Sequence, residues 1–155
     1  MSATYETDVV AWANEQAALI RAGRFDKLDL SHIAEEIEDV GKSEQRELAH
    51  RMSILLMHLL KWEHQPSHQS NSWISTIREQ RKSIARRLQK TPSLQTSLSD
   101  ADWLDDAWLD ARNEATKETG IEFDKFPVTC PWTIENVLQQ DWAPTSLKVS
   151  TPRPK

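Results

Sequence analysis

The sequence predicts an all-α protein, an antiparallel helical bundle of three to four main helices with a short C-terminal capping helix. Three observations predict it. Only three glycines occur in 155 residues. No stretch alternates apolar and polar residues as a half-buried strand would. Strong helix formers dominate, and apolar residues recur at steps of three and four. Short connections between long helices favour antiparallel neighbours.

The first helix is expected from about Thr7 to Ala22, with Thr7 as cap, Asp8 in the first turn and Gly23 as a left-handed stop. Val9, Ala13, Ala17 and Ile20 form its apolar face, with Trp12 at the edge. Ser31 is a plausible cap for the second helix. In that helix Ile33, Ile37, Val40, Leu48, Met52, Leu55, Leu59 and Trp62 fall within about 60° of one line, at about 100° per residue. The phase holds across Gly41, which argues for one helix of roughly thirty residues. The alternative is a break at Gly41 with Ser43 as a new cap.

Pro66 ends the second helix, and a turn is expected from Gln65 to Asn71. Ser70 or Ser72 then caps a third helix to about Lys90, with Trp73, Ile77, Ile84 and Leu88 inward. Thr91-Pro92 opens a short turn into a fourth helix, about Ser99 to Thr119, which Gly120 stops. Its inward face is Trp103 or Leu104, Trp108, Ala111 and Ala115. After an irregular, proline-punctuated stretch, Thr133 caps a short helix with Ile134, Val137 and Leu138. One helical domain is expected over residues 5–144, with a loose tail over 145–155.

Composition narrows the function classes. A chain of this length can bury roughly 68–70% of its unfolded surface, so it needs no metal or disulfide to fold. Cys130, the single cysteine, excludes an internal disulfide. No basic-then-apolar leader is read, and no apolar run approaches the ~20 residues of a membrane span. The expectation is a soluble cytoplasmic protein with no membrane partner. Net charge is −5, but it is unevenly distributed. Asp26 to Glu47 holds eight acids against three bases, Arg78 to Lys90 six bases against one acid, and Asp100 to Asp124 nine acids against two bases. A basic third helix between acidic neighbours is explained by internal pairing. A nucleic-acid surface would want aromatics among the bases, and only Trp73 stands near.

Candidate chemistry is sparse. His58 and His64 diverge around a helix, and Pro66 breaks the spacing of His64 and His68, so no metal site is assigned and no cofactor is required. Glu47-Leu-Ala-His50 matches one half of a di-iron pair, but only Asp29-x-x-His32 comes close to a second. Cys130, in Thr-Cys-Pro-Trp, has no histidine nearby in sequence and reads as a small hydrophobe. There is no nucleophile elbow, phosphate loop or dinucleotide fingerprint. What remains is a polar seam on the long helix. Glu44 lies on the centre of the apolar stripe, Arg51 about 20° away and His58 about 60° away. With Glu47 they should pair among themselves or with Arg78 or Arg81 of the third helix. Six of the seven tryptophans fall on or near apolar faces, while Trp142 either docks the C-terminus or anchors a partner.

A set of motifs, in order, resembles a known family. These are Tyr5-Glu6-Thr7-Asp8 with Trp12, Ala34-Glu35-Glu36-Ile37-Glu38, His58-Leu59-Leu60-Lys61-Trp62, Trp73 to Arg81, Pro92-Ser93-Leu94, and Phe126-Pro127 with Cys130-Pro131-Trp132-Thr133. They resemble the bacterial family called domain of unknown function 29, over residues 5 to 144. The resemblance implies a compact all-helical domain and no reaction. It favours Glu35, Glu36, His58, Lys61, Trp62, Trp73, Arg81, Cys130 and Pro131 as family-pattern positions, and leaves His64 and His68 outside the pattern. The reading is a small helical regulatory or adaptor module that binds a macromolecule, another protein or a second copy, without catalysis. The alternative is a metal-binding or hydrolytic bundle using the polar seam of Glu35, Glu36, Glu44, Arg51, His58 and Arg81. Nucleic-acid binding by the third helix is a third and weaker reading.

Overall fold

The structure is a computed structural model that describes residues 4–144; the tail expected over 145–155 lies outside the described residues. Five α-helices follow one another: α1 (Val9–Arg21), α2 (Leu30–His64), α3 (Asn71–Lys90), α4 (Ala101–Thr119) and the short α5 (Ile134–Leu138). Short 3-10 turns join them, the longest over Pro92–Ser99, and no strand occurs among the described residues. The protein is all-α, a helical bundle with a short C-terminal helix. The chain divides into two compact units, Met1–Glu44 and Gln45–Lys155.

The first unit holds α1 and the start of α2. Asp8, not Thr7, caps α1, accepting the Ala11 N–H at 3.0 Å. An aspartate at that place also suits the positive end of the helix dipole. Gly23 takes the left-handed stop at φ 74°. The face of α1 is turned from the one its apolar pattern predicts. Trp12 and Gln16 are buried, while Val9 is 46% and Ile20 45% exposed. Asp29 explains the rotation. Its carboxylate accepts the Trp12 indole N–H at 2.9 Å, and its own backbone N–H donates to Gln16 Oε1 at 2.8 Å. Two polar anchors outweigh a weak stripe of alanine and valine. Asp29 also replaces Ser31 at the start of α2, where its side chain accepts the His32 N–H at 3.4 Å.

α2 runs unbroken through Gly41 for 35 residues. Its stripe stays in phase, but its burial changes along the helix. Leu48, Met52, Leu55 and Leu59 are fully buried, whereas Ile37 and Val40 are each 67% exposed. Every residue from 37 to 43 is exposed.

In the second unit the remainder of α2 contributes Leu48 to Leu60 to the core. α3 adds Ile77, Ile84 and Leu88, and α4 adds Ala107, Trp108, Ala111 and Ala115. The helix ends follow the capping rules. Ser70 accepts the Trp73 N–H, Asp100 the N–H groups of Asp102 and Trp103, and Thr133 that of Asn136. Gly120 closes α4 at φ 77°. Trp142 and Cys130, both half-buried, pack against the same core. Trp142 therefore docks the C-terminal segment.

Candidate functional site

Glu35, Glu36 and Glu44 belong to the first unit, and Arg51, His58 and Arg81 to the second. Arg51 Nε donates to Glu47 at 3.1 Å across one helical turn, and Arg87 Nη2 reaches the same carboxylate oxygen at 3.5 Å. The basic helix does pair with the seam, but through Arg87 and not through Arg78 or Arg81. His58 Nδ1 bonds the Ile54 carbonyl of its own helix at 3.0 Å. A carbonyl only accepts, so Nδ1 carries the proton, and burial holds the imidazole below its ordinary pKa.

Arg81 has a different task. It is buried, and its Nε donates to Val137 O at 2.9 Å while Nη2 donates to Trp142 O at 2.8 Å. The fork thus ties α3 to α5 and the segment after it. Burial lowers its pKa, and the nearby Asp141 carboxylate opposes that shift. Among the described residues no bond joins Arg51, His58 and Arg81. Lys61 is also buried, 2.6 Å from Glu118 and 4.7 Å from the centre of the Trp73 ring. His64 bonds Leu60 O and meets Phe126 edge-on, while His68 contacts Ser67. Among the described residues no three His, Cys, Asp or Glu side chains gather as a metal set.

The first unit holds a cluster built around His32 that joins Glu36 to residues the sequence does not bring together. Asp29 Oδ2 lies 2.8 Å from His32 Nδ1, and Glu6 lies 3.2 Å from His32 Nε2. Tyr5 stacks on the imidazole at 4.1 Å and donates its phenol O–H to Glu36. The Glu36 bond pushes the Tyr5 pKa up to about 12. The Asp29 bond raises the His32 pKa, and in return the His32 bond lowers that of Asp29. Both ring nitrogens face carboxylates, an arrangement that favours the imidazolium form and engages both nitrogens. The cluster clasps residues 5 and 6 to the start of α2. Its sequence signals were the Asp29-x-x-His32 spacing, with Asp29 just ahead of α2, and the presence of Tyr5, Glu6 and Glu36 in the resemblance motifs.

Among the hollows of the second unit, two carry several charged groups on their walls. The more polar one, about 410 Å³, has His50, Asp110 and Glu114 on its walls with Lys117 and Glu118. Its carboxylates are partly answered by the Lys61–Glu118 and Lys117–Glu114 pairs. The other, about 280 Å³, is walled by Trp62, Ile74, Ile77 and Trp142, with Arg78, Arg81 and Asp141 as its charged groups. Arg78 is exposed and opens the outer face of α3, where Lys82, Arg86 and Lys90 follow at steps of four and are also exposed.

Among the described residues no helix is long and apolar enough to cross a membrane. No curated protein and no solved structure matches the chain. The model of the family described as domain of unknown function DUF29 matches residues 4–143, nearly the whole chain, and the protein belongs to that family.

Proposed function

We propose that the protein is a regulatory or adaptor module without catalytic activity, whose first unit docks a basic, amphipathic segment of another protein. One observation carries this reading. Of the ten large hydrophobic side chains exposed among the described residues, seven lie in the first unit: Val9, Val10, Ile20, Phe25, Leu30, Ile37 and Val40. Among the described residues of that unit, Trp12 is the one large hydrophobic side chain that is buried. Exposed apolar side chains concentrated in one small unit support an interaction site there. The unit also carries ten acidic against four basic side chains, so a basic partner is favoured and a second copy of the same unit would be repelled. A cytoplasmic location goes with this reading, supported by the single cysteine.

The hydrolytic or metal-binding alternative has less support, because His58 and Arg81 are each committed to backbone carbonyls. Nucleic-acid binding rests on the exposed basic residues of α3 alone, and it predicts retention on DNA or RNA at low salt.

A photo-crosslinking residue placed at Val40 in cells that make the protein tests the main reading. It should give discrete protein adducts that Ile37→Glu abolishes and that weaken with rising salt. The same residue placed at Leu109, exposed on α4, should give none. Equal adduct patterns from the two positions would defeat the proposal.

A further inference from the structure

We propose that the cavity of about 280 Å³ in the second unit binds a small aromatic carboxylate. This is independent of the docking reading, which concerns the first unit. Size is the first argument. A dry apolar cavity of about 150 Å³ already admits benzene, so one nearly twice as large accepts a fused two-ring system. The walls suit such a ring, since the indoles of Trp62 and Trp142 and the side chains of Ile74 and Ile77 supply flat and branched apolar surface.

Charge selects the ligand's other end. The three ionised side chains on the lining are Arg78, Arg81 and Asp141, which leaves one positive charge in excess. Asp141 acts on Arg81. Arg78 stands exposed, with no ion pair or side-chain hydrogen bond among the described residues. A carboxylate at the rim therefore meets an unopposed guanidinium, whose fork matches its two oxygens. A further observation concerns the ring itself. The Trp62 indole N–H is buried and finds no acceptor among the described residues. A buried donor without a partner is unfavourable, and a polar atom on a bound ligand relieves it.

The cavity is also built in advance. Arg81 fastens Val137 O and Trp142 O. Trp142 meets Trp132 at 5.9 Å and Trp132 meets Trp108 edge-on at 5.5 Å, so the outer wall is tied to the core by a relay of indoles. Asp141, at φ 68°, turns the chain through the left-handed region just before Trp142. A wall held from three directions needs little ordering when a ligand enters.

The test titrates the full chain with naphthalene-2-carboxylate and, separately, with its neutral amide, and follows the indole N–H signals by NMR. The carboxylate should saturate one site and move the signals of Trp62 and Trp142, and the amide should bind more weakly. Arg78→Gln should weaken the carboxylate by about fivefold or more and leave the amide unchanged, as removal of a partly desolvated ion pair predicts. Arg78 makes no side-chain bond among the described residues, so the variant is expected to remain folded. Equal affinity for acid and amide, no saturation at the solubility limit, or shifts confined to other tryptophans would each overturn the proposal.

Discussion

At the scale of single residues, two histidines titrate in opposite directions. The Asp29 bond raises His32 above 6.5, and burial lowers His58 below it. His32 therefore stabilises the first unit fully below pH 6.5, and that stability is lost as pH rises through its raised pKa. The lowered pKa of Asp29 acts from the other side. Its contribution is complete above 3.8 and disappears as pH falls through the lowered value. The clasp is strongest between 3.8 and 6.5. His58 reverses the sense, because protonation below 6.5 places a charge in a buried position and disfavours the second unit. Two resolved imidazole titrations by NMR should bracket the ordinary value, and Asp29→Asn should bring His32 down toward it. If both histidines titrate together, this account of their surroundings is wrong. Arg81 is the other residue with a large expected effect. Arg81→Lys keeps the charge but loses the fork that serves two carbonyls, so it should destabilise the protein by about 1–2 kcal/mol in denaturant unfolding.

At the scale of elements, the helices were legible because caps and periodicity are local. Ser70, Thr133, Gly23 and Gly120 stand where their chemistry requires, and the phase of α2 carried correctly across Gly41. What covers a helix face is not local. The stripe of α2 predicted burial at Ile37 as firmly as at Leu59, yet one is 67% exposed and the other fully buried. The rotation of α1 was hidden for a related reason, since it depends on what Asp29 bonds and not on the hydropathy of α1. The histidine clasp escaped because Tyr5 and Glu6 lie far in sequence from His32. Two glycines give contrasting tests. A Cβ at Gly41 meets nothing within 4 Å, so Gly41→Ala should stabilise α2 by about 0.5–1 kcal/mol. Gly120 sits at φ 77°, and Gly120→Ala should instead cost about 1 kcal/mol. Thermal unfolding of the two variants should shift in opposite senses.

At the scale of the whole molecule, the hydrophobic core is confined to one unit. All of its buried members lie at or beyond Leu48. A chain beginning at Gln45 is therefore expected to fold cooperatively and to keep the near-UV signal of six of the seven tryptophans. The first 44 residues alone should not fold, since among those described Trp12 is the one buried large hydrophobic side chain. A truncated chain from Gln45 that lacks a sharp unfolding transition would show that the second unit depends on the first. Composition already divided the chain, with an acidic start before a basic third helix. Charge counts, however, do not reveal that the acidic part lacks a core.

The seven exposed residues from 37 to 43 within α2 bear on the backbone's own lifetime. Amide hydrogens there are held by helical bonds in a stretch whose side chains are all exposed, and Gly41 weakens propagation through them. In deuterium exchange residues 37–43 should take up label early, while the amides of Leu48 to Leu60 wait for global opening. By geometry α2 is one helix; by the free energy needed to open it, it is two.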